Sequence, residues 1–408
     1  MIVRQIMNLK NHTKLAMLYF TFAAALGCVL RFFKVVDIPV TYKFIIHAHS
    51  HVALLGWVYL GLTTLLYKLY LRNPEIETKY RSIFWFSQVT IIGMLLTFPF
   101  QGYALFSIVF STLFLFASYW FSWFFFKNVP AKYNKKQSVK CAKVALVYFL
   151  ISSIGPWALG GIMNTLGATS IWYRLAIYFY LHFIYNGFMI MALVAIFFYI
   201  LEKQGIFMPE RSFNKFFWKL NIGIVLSLLL STLFIRPNVF YYILGGIGAL
   251  AQLWALFDLV KFLKEERNAV KKLFSPFYVH FLKIIGLLWA MKMFLQLLSA
   301  VPYFADIAVT YLDFTIGYLH LTFLGVVTIS LFMFLDYFQL LFVDKKLFSL
   351  YVFGFALTEV LIFYKGIISW QSTSLFASYN LVLAVASLLI LLVVLSILLG
   401  RNSGRIKD

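Results

Sequence analysis

The sequence predicts an all-α polytopic membrane protein with twelve transmembrane helices, arranged as three repeats of four helices. Three observations lead to this prediction: a composition too apolar for a water-soluble surface, twelve apolar runs of helix length, and one histidine motif that occurs three times. Of the 408 residues, 63% are hydrophobic, 20% are aromatic and only 12% are charged. Such a composition is typical of chains that lie mostly within a bilayer.

The apolar runs give the helix count, because a hydrocarbon core about 30 Å thick requires about 20 apolar residues per helix. We expect the twelve helices at residues 15–33, 43–70, 83–99, 103–126, 142–162, 173–201, 216–234, 239–262, 276–300, 307–335, 348–364 and 376–399. The connecting segments are short, so we expect a single transmembrane domain over residues 1–408. The internal repeats would cover roughly residues 1–135, 136–270 and 271–408.

The formal net charge of +21 has a simple explanation in the positive-inside rule and does not indicate a nucleic-acid partner. With twelve spans and an interior N-terminus, most Lys and Arg residues fall between helices on the interior side. We therefore expect both termini in the cytoplasm and a multi-pass protein of the inner (cytoplasmic) membrane, surrounded by lipid. The first apolar run has no cleavage site and carries Arg31 at its far end, which predicts a retained span.

One motif, [His/Tyr]-x-His-x4-Gly, recurs at nearly equal intervals. Its central histidines are His51, His182 and His320, on the predicted helices 2, 6 and 10. All three helices enter from the exterior in this topology, which places the histidines in one membrane layer about 13–20 Å deep at 1.5 Å per residue. The recurrence of a motif at a fixed period is the signature of a repeated fold.

Histidines at this depth have two interpretations. Each can make an interhelical hydrogen bond, or the three can be functional, because polar groups inside a membrane are costly and neutral imidazole is the commonest ligand for haem iron and copper. On one helix His47 and His51 share a face, whereas His49 points to the opposite side. The motif glycine, five residues later, would let a flat ligand or a neighbouring helix come close. Asp313, seven residues before His320, either orients that ring or marks a water-facing helix start.

The segment of helix 10 reads Thr315-Ile316-Gly317-Tyr318-Leu319-His320, followed by Gly325. It resembles the helix-10 signature of the haem-copper oxidase catalytic subunits, the cytochrome c oxidase subunit I family, and especially of the C-type branch, which has Thr-Ile-Gly-His-x-His. That family has twelve helices in three four-helix arcs, with helices 2, 6 and 10 as symmetry mates. The resemblance covers the topology of the whole chain, and its motifs are specific near helices 2 and 10.

The resemblance implies one low-spin haem b. Its axial ligands would be His320 and, from helix 2, His51, whose following Gly56-Trp57 repeats the family spacing; His47, on the same face, is the substitute. A bis-histidine haem moves electrons and does not readily bind gas. The haem would be noncovalent, because the chain has no Cys-x-x-Cys-His.

Two arginines on the predicted exterior side, Arg31 and Arg174, are the expected partners of the haem propionates. Gly56, Gly325 and Trp57 complete the expected cofactor-binding set.

The chain also departs from the family pattern. Tyr318 stands where the family has its high-spin haem ligand, and helix 7 has no histidine where the family supplies two copper ligands. The family's helix-6 copper ligand falls on His182, which alone would leave copper under-coordinated. We therefore expect no haem-copper oxygen-reducing site and no copper. His182 remains a candidate for a second metal or a haem-proximal role, and Tyr318 is either a phenolate ligand of ferric haem or a packing residue.

The leading hypothesis is a membrane haem protein active in electron transfer or in nitric-oxide-related haem chemistry, since the pattern is also similar to the NnrS-type membrane proteins. Electrons would come from quinol or from an exterior donor, with or without partner subunits. If the chain is an enzyme, it would be an oxidoreductase. Two alternatives stay open: a transporter for copper, haem or another substrate with a histidine-lined path, and a structural subunit of a respiratory complex.

Overall fold

The computed structural model describes residues 7–400. Within them, twelve helices are long and apolar enough to cross a membrane, as predicted. We number them α1 to α12 in chain order: Leu9–Phe32, Tyr42–Leu71, Pro74–Gln101, Leu105–Asn128, Gln137–Thr165, Ile171–Lys203, Glu210–Ile235, Val239–Glu265, Pro276–Leu298, Leu312–Tyr337, Lys345–Trp370 and Tyr379–Leu399. The prediction of an all-helical, multi-pass membrane fold is confirmed at this level.

Most helices begin a few residues from the predicted start, including α1, α5 and α7, which begin five or six residues earlier, and two of the differences have a clear local cause. α3 begins at Pro74, nine residues before the apolar run, because the Asn73 side chain caps it by accepting from the Glu75 amide and its first turns are charged. α10 begins at Leu312 rather than at residue 307. Residues Pro302–Thr310 form a separate short helix, and the extended backbone of Tyr311 interrupts the chain between the two.

The helices cluster in two compact units. Unit 1 contains residues 7–129, 331–361 and 374–400, and unit 2 contains residues 130–330 and 362–373. In unit 1, α1 packs against α2 and α12, and α3 packs against α4. In unit 2, α5 packs against α6, and α8 against both α7 and α9. The division after residue 129 lies close to the predicted repeat boundary at 135, whereas the predicted third repeat is divided between the units.

The three motif histidines share a local backbone. A π-helical segment starts at the residue after each of them: Val52–Tyr59 after His51, Phe183–Met189 after His182, and Leu321–Thr328 after His320. Each segment packs against the odd-numbered helix that precedes it in the chain, namely α1, α5 and α9. π-Helical turns are rare and occur frequently at functional sites.

Close helix packing explains two of the motif glycines. A Cβ atom placed on Gly56 would lie 2.6 Å from Cβ of Tyr19, and one placed on Gly187 would lie 2.6 Å from Cβ of Tyr148. Both distances are too short for a side chain, so α1 and α5 can approach these turns only because a glycine is present. At these two positions a neighbouring helix, rather than a flat ligand, occupies the space beside the glycine.

The helices that carry the motif are also the most enclosed. The most apolar stretch is 89% buried in α2, 94% buried in α6 and 72% buried in α10, against 50% or less in every other span. Polar side chains on these three helices therefore face protein rather than lipid, which is where intramembrane polar groups are tolerated.

Candidate functional site

His51 in unit 1 has its ring fixed by its own helix. Its Nδ1–H donates to the carbonyl oxygen of His47 at 2.8 Å, and its ring packs 4.4 Å from that of Phe98. A carbonyl oxygen can only accept, so the proton lies on Nδ1 and the lone pair on Nε2. The Tyr103 hydroxyl approaches Nε2 at 3.4 Å, a long hydrogen bond. The ring nitrogen that a metal would take is therefore oriented and only weakly engaged.

His320 in unit 2 is held in the same way. Its Nδ1–H donates to the carbonyl oxygen of Ile316, four residues earlier, also at 2.8 Å. The ring is oriented by a backbone carbonyl and not by Asp313, whose carboxylate accepts from Lys365 Nζ at 2.9 Å near the start of α10. A histidine whose Nδ1–H is bound to a carbonyl is in the usual state of a metal ligand, because that bond fixes the tautomer and raises the basicity of Nε2.

The other histidines of α2 have different surroundings. His49 donates from Nδ1 to the carbonyl oxygen of Ala23 on α1 at 2.8 Å, which is an interhelical hydrogen bond. His47 supplies the carbonyl that orients His51, and its own ring packs 4.5 Å from that of Tyr103. As the sequence predicted, His47 and His51 share a face while His49 points away. Which of the two same-face histidines is the ligand stays a prediction.

His182 has the opposite tautomer. Its Nε2–H donates to the carbonyl oxygen of Ile224 on α7 at 2.8 Å, which leaves the lone pair on Nδ1. That nitrogen accepts from Asn186 Nδ2 at 3.2 Å and from the Ser231 hydroxyl at 3.3 Å. The side chain is 1% exposed. Both ring nitrogens are thus used in hydrogen bonds inside unit 2, and a metal could bind only after two donors had moved away.

The Asn186 side chain connects His182 to a buried lysine. Lys292 on α9 is fully buried, and its Nζ donates to Asn186 Oδ1 and, at 2.8 Å, to Gln296 Oε1. Nζ also lies 5.9 Å from the ring centroids of Tyr185 and Tyr318. The Tyr318 hydroxyl donates to Gln296 Oε1 at 3.5 Å, so Tyr318 is part of this network.

This network borders a cavity of about 360 Å³ within unit 2. Arg174 lies at the other end of the cavity wall, where its Nε and Nη2 donate to the Tyr178 hydroxyl at 3.2 and 3.0 Å and its guanidinium covers the Phe234 ring at 4.2 Å. Arg174 is thus preorganised by aromatic contacts, and its side chain is exposed. Arg174 remains the residue of unit 2 that we expect to pair with an anion such as a haem propionate.

The remaining predicted cofactor residues take these places. Trp57 is 1% exposed and stacks on Phe20 at 5.0 Å, so it packs the inside of unit 1. Arg31 lies in the last turn of α1 and is half-buried. Gly325 is buried in the π-helical segment of α10. The positions of these residues do not show whether any of them would contact a haem, so their roles stay predictions.

Sequence reasoning did not identify Asn186, Gln296 and Ser231 as site residues. The signal for the first two was present, because Asn186 follows His182 and Gln296 follows Lys292 by four residues, which puts each pair on one helix face. Ser231 had no such signal, because its contact with His182 joins α6 to α7.

Within residues 7–400, no three side chains of His, Cys, Asp or Glu come together as a metal site. Axial ligation of haem takes only two protein ligands, so this finding does not bear on haem. No protein-family model matches the chain, and no curated protein matches it either. The functional conclusions therefore depend on the chain's own residues.

Proposed function

We propose that this chain is an integral membrane protein that binds one b-type haem noncovalently, with His320 and His51 as its axial ligands. One observation supports the proposal most. These two histidines donate from Nδ1 to the carbonyl oxygen four residues earlier, both at 2.8 Å, while His182 has the reverse tautomer. At two of the three motif positions the lone pair is therefore on Nε2.

The residues fit a haem in chemical terms. Neutral imidazoles with a fixed Nδ1–H are suitable axial ligands, and Arg174 provides a charged group for a propionate in unit 2. A bis-histidine haem, when bound, supplies a one-electron carrier with both axial positions filled. The protein's part is to orient the two rings through backbone carbonyls and to exclude water around them. The role that follows is electron transfer, or haem chemistry related to nitric oxide.

Transport is the second candidate function, and the cavity in unit 2 favours it. The wall of the cavity includes His182, Asn186 and Tyr318, together with Arg174. However, among residues 7–400 His182 is the only histidine in that wall, so a histidine-lined path does not follow from it.

A spectroscopic experiment tests the haem proposal. The full-length protein would be expressed with ample haem supply, purified, and measured by reduced-minus-oxidised difference spectroscopy and a pyridine haemochrome assay. We expect about one haem b per chain and a low-spin spectrum in the wild type and in His182→Ala and His49→Ala, which serve as matched controls. His320→Ala and His51→Ala should lose the low-spin spectrum.

Three results would contradict the proposal in whole or in part. Absence of haem from monodisperse wild-type protein would overturn it, and metal-dependent or haem-dependent uptake by haem-free protein would then favour transport. Loss of haem in His47→Ala with retention in His51→Ala would move the helix-2 ligand to His47. Normal folding and unchanged behaviour after replacing all three motif histidines would instead favour a structural subunit.

A further inference from the structure

The cavity in unit 2 has a polar end that the haem proposal does not use. Its volume of about 360 Å³ lies within the range of roughly 300–1,000 Å³ typical of small-molecule pockets. His182 at this end is eleven residues after the start of α6, or about 17 Å along the helix. Much of the remaining wall is aromatic and includes Phe304, Phe314, Phe363 and Trp370. The cavity therefore suits an apolar molecule with a polar group that reaches deep into the span.

The acceptor atoms at the polar end are already engaged. Nδ1 of His182 accepts from Asn186 and Ser231, and Oδ1 of Asn186 accepts from Lys292. Oε1 of Gln296 accepts from Lys292 and from Tyr318. A ligand that donates hydrogen bonds would have to share these acceptors with protein donors, so the site is better matched to a ligand that accepts.

A donor is still available in the wall. The hydrogen bonds that the Gln296 side chain makes within the described residues all end on Oε1, so its amide Nε2 keeps its N–H donors. Gln296 lines the cavity and is only 7% exposed. A donor with no protein acceptor in the wall of a largely apolar cavity gains a hydrogen bond when a ligand that accepts is bound.

Lys292 determines which way the amides face. It is not part of the cavity wall, and none of the ion pairs among residues 7–400 includes it. Because its ammonium binds the oxygens of Asn186 and Gln296, the NH₂ groups of both amides point away from it. At its polar end the cavity therefore presents a neutral amide donor, and the positive charge of Lys292 lies behind the wall.

We propose that this cavity binds the ring of a membrane quinone, with one ring carbonyl accepting a hydrogen bond from Gln296 Nε2. At this end a neutral carbonyl is favoured over a carboxylate, because the donor is uncharged and Lys292 is not part of the wall. Arg174, the charged residue of the wall, lies eight residues before His182 on α6, about 12 Å along the helix, so a carboxylate at the polar end would be desolvated without a charged partner beside it. The aromatic side chains suit a flat ring. This site goes beyond the haem proposal and does not depend on it.

A binding experiment on the full-length protein in detergent micelles tests the quinone site. Decylubiquinone would be titrated while tryptophan fluorescence is followed, since Trp370 lies in the cavity wall, and decanoate would serve as the carboxylate probe. Gln296→Leu removes the donor. Gln252→Leu is the matched control, because Gln252 is also buried in unit 2 and hydrogen-bonds to Gly223 and Ser227, but is not in the wall.

We expect saturable quinone binding that Gln296→Leu weakens by about 3- to 10-fold, the net value of one hydrogen bond, with a change of less than about 2-fold for Gln252→Leu. Trp370→Phe should reduce the quenching amplitude and leave the apparent Kd nearly unchanged. This variant tests whether quinone binds in this cavity even if Gln296→Leu does not fold. Non-saturable quenching, equal weakening by both glutamine variants, or tight binding of decanoate without quinone binding would overturn the proposal. Quinone binding by haem-free His320→Ala protein would show that the quinone site does not require haem, so that failure of one proposal would not imply failure of the other.

Discussion

The histidines of α2 and α6 each precede a π-helical segment whose glycine contacts a tyrosine of the preceding odd-numbered helix, yet their rings are held in opposite ways. His51 donates from Nδ1 to its own helix, whereas His182 donates from Nε2 to α7. The neighbours explain the difference. Phe98 and Tyr103 surround the first ring, while Asn186 and Ser231 offer two donors to the second. The same motif position before a π-helical segment can therefore carry different chemistry.

The first prediction separates the two histidines by what each contributes to stability. His182→Leu removes three hydrogen bonds and should lower the free energy of unfolding by about 2 kcal/mol, at roughly 0.6 kcal/mol per hydrogen bond in a membrane protein. His51→Leu removes one local bond and one long bond and should cost less than about 1 kcal/mol. Unfolding by SDS in mixed micelles measures both values, and equal losses would remove the distinction between the two sites.

A second prediction concerns what the two segments share. Gly56→Ala and Gly187→Ala should each destabilise by about 1–3 kcal/mol, because a Cβ would lie 2.6 Å from a tyrosine Cβ in both cases. Gly160→Ala in α5 is the control, since nothing lies within 4 Å of its added Cβ, and it should be neutral or stabilising by up to about 1 kcal/mol. The same unfolding assay applies. A large cost at only one of the two motif glycines would mean that the packing is not equivalent.

The smallest effect should come from the acidic residue of α10. Lys365→Ala breaks the ion pair with Asp313, whose side chains are 35% and 17% exposed, and should cost less than about 1 kcal/mol. Asp313→Asn should leave the haem spectrum unchanged, because a backbone carbonyl orients His320. A shift of the haem spectrum in Asp313→Asn would show that an acidic residue of α10 affects the ligand properties of His320, which would distinguish α10 from α2.

The helix count could be predicted from the sequence because each span needs a long apolar run, and this requirement is independent of tertiary contacts. Helix ends were less predictable. α3 extends to Pro74 because helix formation does not stop where charged residues begin, and the break at Tyr311 has neither glycine nor proline to mark it.

For the candidate site, the sequence identified the motif histidines and their faces but not their tautomers. The proton position at His182 depends on Ile224 and Ser231, which are distant in the chain. The π-helical turns were also outside the reach of the sequence analysis, since one extra residue leaves the composition unchanged and its shift of helical phase is not visible in a run that is apolar on nearly every face.

The wide turns have a consequence for chain length. A π-helical turn holds one residue more than an α-helical turn, so deleting one residue within 52–59, 183–189 or 321–328 would tighten the turn and leave both flanking helices on their original faces. The same deletion in an α-helical part of these spans would rotate everything after it by about 100°. In α2, α6 and α10, single-residue deletions should therefore be tolerated best just after the motif histidine, and α2 has a second such place at its π-helical segment Tyr67–Leu71.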